Sequence, residues 1–148
     1  MEPFLINHYG KEIYFATAMG SLFQFNDNCY LDFFKDFMER NDITEIFITI
    51  ETSCRFLNNI LNQQININYW TEKTMRAVLL NNSDEVHGQA TLFGKQQCFA
   101  KQLIKHQVME LEKISLFSSL RQQSLLTFSG LIVSRPDRYI NEIKINTN

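Results

Sequence analysis

Only two prolines and five glycines punctuate these 148 residues. Both prolines, Pro3 and Pro136, lie near the ends. The middle of the chain is thus free of the residue that removes a backbone donor and breaks helices. No Pro/Gly/Ser-rich tract marks a linker or a disordered segment. Long apolar runs are missing as well. The longest reach only a few residues, far short of the roughly 20 needed to cross a bilayer. Glu2 and Asn7 stand where a signal peptide would carry a positive start and an apolar stretch. An excess of one charge is also lacking: 14 Lys and Arg oppose 16 Asp and Glu, a net charge of −2. That offers no sequence-independent attraction to a phosphate backbone and argues against general nucleic-acid binding. Cys29, Cys54 and Cys98 are odd in number, widely spread and without a Cys-x-x-Cys pair. They read as reduced thiols of a cytoplasmic protein, not as a disulfide framework.

Chemical motifs are equally scarce. There is no Gly-x-x-x-x-Gly-Lys-Ser/Thr loop, no Gly-x-Gly-x-x-Gly and no Gly-x-Ser-x-Gly elbow. His8, His87 and His106 lack metal-ligand spacing. Gly10, Gly20, Gly94 and Gly130 read as tight turns rather than as a phosphate cradle. The expectation is therefore no catalytic, cofactor or metal-binding residue and no cofactor.

What is present is a pattern of apolar segments. The length fits one domain, residues 1–148, large enough to bury a core unaided. Three short runs, Phe4–His8, Glu12–Thr17 and Ser21–Phe25, are separated by Tyr9-Gly10-Lys11 and Ala18-Met19-Gly20 and read as a strand meander. Cys29–Glu39 has helical spacing, with Tyr30, Phe33, Phe34, Phe37 and Met38 on one face to pack on a sheet, and Asp27 or Asn28 as the cap. Thr44–Ile50 is apolar on both faces, which predicts an interior parallel strand. Cys54–Gln63 is ambiguous, with Thr52 or Ser53 as its cap if helical. Thr71–Leu80 reads as a helix capped by Thr71, stapled by Trp70 against Met75 and ended by Asn81-Asn82.

Val86–Phe93 alternates like a strand closed by Gly94-Lys95. Phe99–Leu111 predicts a helix with Ala100, Leu103, Ile104, Val108 and Leu111 inward. Ile114–Leu120 fits strand or helix. Leu125–Phe128 and Leu131–Val133 flank Ser129-Gly130 as a hairpin. Arg135–Arg138 reads as a turn, Glu142–Ile145 as a last strand and Asn146–Asn148 as a frayed tail.

The expected fold class is therefore α/β: a mixed sheet with a ribonuclease-H-like, or actin-like, βββαβ opening and helices packed on the sheet. A nuclease on that scaffold needs several carboxylates to hold two Mg²⁺ ions. Phe4–His8 supplies none, and Glu39 and Glu51 read as a solvated helix residue and a strand-end charge. A phosphate turn of the actin type needs an Asp where Asn7-His8-Tyr9-Gly10 has none. The polar features left for a partner are the acidic pair Asp84 and Glu85 and the turn residues Arg135 and Arg138.

This order of segments resembles the cytoplasmic actin-like domain of bacterial assembly-platform proteins, the L protein of type II secretion and the M-type proteins of type IV pilus machines. The second unit of that resemblance is Thr71–Asn82, the acidic loop Ser83-Asp84-Glu85 and Val86–Phe93, followed by Phe99–Val133. It implies a non-enzymatic cytoplasmic scaffold with degenerate nucleotide binding, which docks a hexameric assembly ATPase to inner-membrane platform proteins. It also implies a place at the bacterial inner membrane, held there through partners or through a span outside this chain, with self-association open to it. The alternative is a small interaction protein of a mobile element, an immunity or anti-defence protein.

Overall fold

A computed structural model describes residues 1–10, 12–25, 28–64 and 69–145. The predicted caps at Asp27 and Asn28, the Cys29 thiol and the tail at 146–148 lie outside the described residues or side chains. The architecture is α/β with a small mixed sheet of three strands in the order β1-β2-β3. Strand β1 (Glu45–Glu51) runs parallel to β2 (Thr127–Ser134), and β2 runs antiparallel to β3 (Tyr139–Lys144). The register places Ile48 opposite Gly130, and Gly130 opposite Ile143. β2 is the central strand and is almost wholly buried.

A parallel pair cannot be closed by a tight turn and needs a long crossover. Here the crossover holds α3 (Arg55–Leu61), α4 (Trp70–Asn81), α5 (Ser83–His87), α6 (Leu92–Glu112) and α7 (Ser115–Gln122). Helix α6 is its spine. Thr91 caps it, its Oγ1 accepting from the Gly94 amide at 3.0 Å. Phe99, Ala100, Leu103, Ile104, Val108 and Leu111 recur at helical spacing and are all buried, the last five as the sequence predicts. They pack with Ile48, Ile50, Phe128 and Ile132 on one face of the sheet. Each buried Val, Leu, Ile or Phe among them contributes about 1.5–3 kcal/mol by leaving water.

The opposite sheet face is covered by α1 (Glu2–Tyr9), where Leu5 packs with Leu131 and Val133 and is flanked by Phe4, Ile13, Phe47 and Ile140. This corrects the predicted meander. Phe4–His8 is helical, started by Pro3 in the first turn, where its missing N–H costs nothing. Most of Glu12–Thr17 is exposed and takes no part in the sheet. Ser21–Phe25 contributes Leu22 to the core, but Phe23 in its middle pairs with a side chain rather than a ladder. The Phe23 N–H donates to Gln107 Oε1 at 3.0 Å, and Gln107 Nε2 donates to the Phe23 carbonyl at 3.3 Å. Short apolar runs bounded by glycines suit either solution, and packing against a completed core decided it. The βββαβ opening is thus absent from the described residues, and Asn7 lies in a helix rather than in a phosphate turn.

Three further expectations change. Val86–Phe93 is not a strand: Val86 is buried from α5, and Phe93 and Gly94 lie in the first turn of α6. Ser129-Gly130 is not a turn but the middle of β2. Gly130 is there because an added Cβ would stand 2.6 Å from Ile104 Cγ2, so its bareness lets α6 lie against the strand. The helix expected at Cys29–Glu39 is α2 (Asn28–Arg40), yet its aromatic stripe is only partly core. Leu31, Phe34 and Met38 pack inward, while Phe33 is 66% exposed. The helices at Thr71–Leu80 and Phe99–Leu111, the strand at Thr44–Ile50 and the Arg135–Arg138 turn lie where expected, although the first helix is preceded by Tyr69 at its cap position and Thr71 lies inside it. β1, however, is parallel without being interior.

Candidate functional site

In open α/β sheets, crevices form beyond the carboxyl ends of the parallel strands, where connections leave for different layers. β1 and β2 end side by side, and each closes on polar residues: Glu51, the last of β1, followed by Thr52-Ser53-Cys54-Arg55, and Ser134, the last of β2, followed by Arg135. A cleft of about 340 Å³ opens there, lined by Ile50, Glu51, Ser53, Cys54, Arg55, Leu57, Met75 and Arg135, with Met1, Ala18, Gly20 and Ser21 from the amino-terminal segment.

Two sets of hydrogen bonds fix the strand end and the turn beside it. The Thr52 N–H and Oγ1 both donate to the Val133 carbonyl, at 2.8 and 3.2 Å, and clamp the end of β1 to β2. Asn58 Nδ2 donates to the carbonyls of Thr52 and Cys54, at 3.1 and 3.0 Å, while its Oδ1 accepts from Gln96 Nε2 at 2.6 Å. The turn that carries Ser53 and Cys54 is thereby tied to α6.

The charged centre is Glu51, only 8% exposed. Its Oε1 accepts from Arg135 Nε at 2.6 Å and from Ser53 Oγ at 2.6 Å. Burial pushes its carboxyl up, but the hydrogen bonds from Arg135 and Ser53 and the positive charge of Arg135 outweigh it. The carboxyl sits below the usual carboxylate range. Arg135 is raised in turn by the same hydrogen bond and charge. Glu51 is therefore an ionised anchor for Arg135, a poor proton acceptor near neutral pH. Arg55, exposed at the rim, makes no ion pair among the described residues. Cys54 is a free, half-buried thiol. A larger, more open hollow of about 500 Å³ lies between Leu22, Phe23, Tyr30, Tyr69 and Trp70. It lacks charged side chains, so the smaller cleft is the better candidate for chemistry.

Of the residues singled out for a partner, only Arg135 reaches the cleft. Arg138 closes the β2–β3 turn, its amide donating to the Arg135 carbonyl at 3.2 Å. Asp84 and Glu85 lie in the first turn of α5, not in a loop. Glu85 accepts from Gln102 Nε2 at 2.7 Å, and burial, with help from Glu85, pushes the Cys98 thiol up. In the sequence Glu51 reads only as a strand-end charge, Ser53 as a possible cap and Cys54 as a reduced thiol, and Arg55 draws no notice. The signal was an apolar strand breaking at once into five polar residues. Among the described residues no three His, Cys, Asp or Glu side chains stand together as a metal-binding group. Within the cleft the donors of that kind are Glu51 and Cys54.

No family model matches the chain, and no curated protein resembles it in sequence. Solved structures do resemble it in fold. A tetrameric β-carbonic anhydrase from Sordaria macrospora superposes with a TM-score of 0.68 at 11% identity, over 86% of this chain and 66% of that one. The β-carbonic anhydrase CafD of Aspergillus fumigatus gives 0.66 at 11% identity, over 86% and 71%. The β-carbonic anhydrase CcaA gives 0.58 at 10% identity, over 86% and 62%. The chain thus has the fold of these proteins and spans roughly two thirds of their length. This overturns the actin-like resemblance and what it implied. The neighbours are enzymes, not pilus or secretion scaffolds, so a non-enzymatic adaptor for a hexameric ATPase and inner-membrane platform proteins has no support. The mobile-element alternative has none either. No helix among the described residues is long and apolar enough to cross a membrane.

Proposed function

We propose that this chain is an enzyme-like protein that binds a small carboxylate- or bicarbonate-class anion at the carboxyl edge of β1 and β2. The observation that carries this reading is the composition of the cleft. Two guanidinium side chains, Arg55 and Arg135, stand with one carboxylate, Glu51, which leaves a side-chain charge of +1 in a chain of net charge −2. The volume suits a molecule of a few heavy atoms. Ile50, Leu57 and Met75 give it an apolar wall that strengthens any charge contact by excluding water. Arg135, tied through Nε to Glu51 with its side chain half exposed, keeps its remaining N–H groups available to a ligand, and Arg55 is free to close on it from the rim. Planar carboxylates match this fork of donors. A fold shared with enzymes named for carbonic acid agrees with an anion of this class.

Carbonic anhydrases as a class hold zinc with three protein ligands and use it to make a nucleophilic hydroxide from water. The residues here do not fit that ion. Glu51 and Cys54 are only two donors, and Glu51 Oε1 is already engaged by Arg135 and Ser53. No step through zinc follows from these residues.

Thermal denaturation in the presence of bicarbonate, formate, acetate and chloride tests the reading, alongside a stopped-flow assay of CO₂ hydration. A carboxylate or bicarbonate at 100 times its Kd should stabilise the fold by about 2.7 kcal/mol, with chloride far weaker. Equal effects of all four salts, or no saturable effect of any, would refute it.

A further inference from the structure

The donors of the cleft do not fit a catalytic zinc, and the charged pair at its centre accounts for how the two strand ends are held together. We infer that the Glu51–Arg135 ion pair ties the ends of β1 and β2 together, so that this site is held by a guanidinium–carboxylate pair and works without a bound divalent cation. This rests on the same cleft as the proposed function but on different properties of it.

Three observations carry the inference. First, the pair spans the two strand ends directly. Glu51 is the last residue of β1 and stands opposite Val133 of β2, and Arg135 follows β2 by one residue. Arg135 Nε reaches Glu51 Oε1 at 2.6 Å, a charge-assisted bond of the short kind. A carboxylate as buried as Glu51 must have a cationic partner, and Arg135 supplies it. Second, the clamp of Thr52 on the Val133 carbonyl and the Ser53 hydroxyl on Oε1 hold Glu51 in that pairing. Third, the surroundings repel a dication. To bind one, Glu51 would have to release Arg135 into a cleft that already holds Arg55, and would gain only Cys54 as a further ligand. Loss of a charge-assisted bond and repulsion from two guanidiniums oppose two ligands where a catalytic site uses three.

Elemental analysis of the full chain, purified without chelator, tests this, together with melting curves in EDTA and in added zinc chloride. The expected result is no stoichiometric zinc and a melting temperature that neither reagent shifts. Glu51→Gln and Arg135→Met should each lower the melting temperature. The double variant should melt close to the worse single, because each removes the same tie. Stoichiometric zinc lost to EDTA together with several degrees of stability would overturn the inference, and so would additive single effects. If a variant fails to fold, the metal analysis and the chelator curves of the unaltered chain still decide. Bound zinc would leave the anion reading standing, whereas a metal-free protein indifferent to carboxylates would sink that reading and not this one.

Discussion

Replacing Gly130 with alanine places a methyl group where the structure has no room for one. Its Cβ would lie 2.6 Å from Ile104 Cγ2 and 3.2 Å from Ile104 Cδ1. Apolar carbons ordinarily sit about 3.5–4.0 Å apart. Either α6 moves off the sheet by roughly 1 Å or Ile104 leaves its rotamer, and overpacking of this kind costs about 1–3 kcal/mol. For a chain of this size each kcal/mol lowers Tm by about 2–4 °C. Urea denaturation followed by circular dichroism measures it. Ile104→Ala alone should cost about 2–5 kcal/mol through the cavity it leaves. In the double variant the new methyl occupies part of that cavity, so the pair should cost less than the sum by about 1 kcal/mol. A Gly130→Ala protein within about 0.5 kcal/mol of the parent, or strict additivity, would refute this packing of α6 on β2.

Other expectations concern polar groups. Glu51 has a folded pKa below its unfolded one, so the unfolded chain takes up the proton first as pH falls. The stability that Glu51 supplies is present above the ordinary carboxylate range and is lost as pH drops through it, so Glu51→Gln should flatten the fall of Tm between about pH 5 and pH 3. Gln107→Ala deprives both backbone groups of Phe23 of their partner and should cost about 1–3 kcal/mol in urea denaturation, with fluorescence reporting early loosening near Trp70. Thr91→Ala removes the cap of α6 and should cost about 1 kcal/mol, while Thr91→Ser should restore most of it.

The strongly periodic elements were legible in the sequence, because burial on one face writes itself into residue spacing. The inward residues of α6 and the strand at Thr44–Ile50 are the clearest cases. The opening was not legible. Phe4–His8 and Ser21–Phe25 are too short for periodicity to separate helix, strand and extended loop, and their fates depend on Leu131, Val133 and Gln107, over a hundred and over eighty residues away. Gly130 misled for a related reason: its bareness serves contact with Ile104, a tertiary demand that looks locally like a turn. The cleft was half legible. Arg135 drew notice as a loop charge, but its partner Glu51 was read as an isolated strand end. Their pairing exists only once β1 and β2 lie parallel, a non-local fact that no local motif announces.

Calorimetric titration of bicarbonate into the parent chain and into Arg55→Ala at neutral pH tests the central claim most directly. Arg55 is exposed and makes no ion pair among the described residues, so its removal leaves the fold intact. Saturable binding by the parent, weakened by about tenfold or more in the variant, is the predicted result, matching the roughly 1.4 kcal/mol or more that a charge-assisted contact supplies. Identical isotherms for the two proteins, or no heat from either, would contradict it.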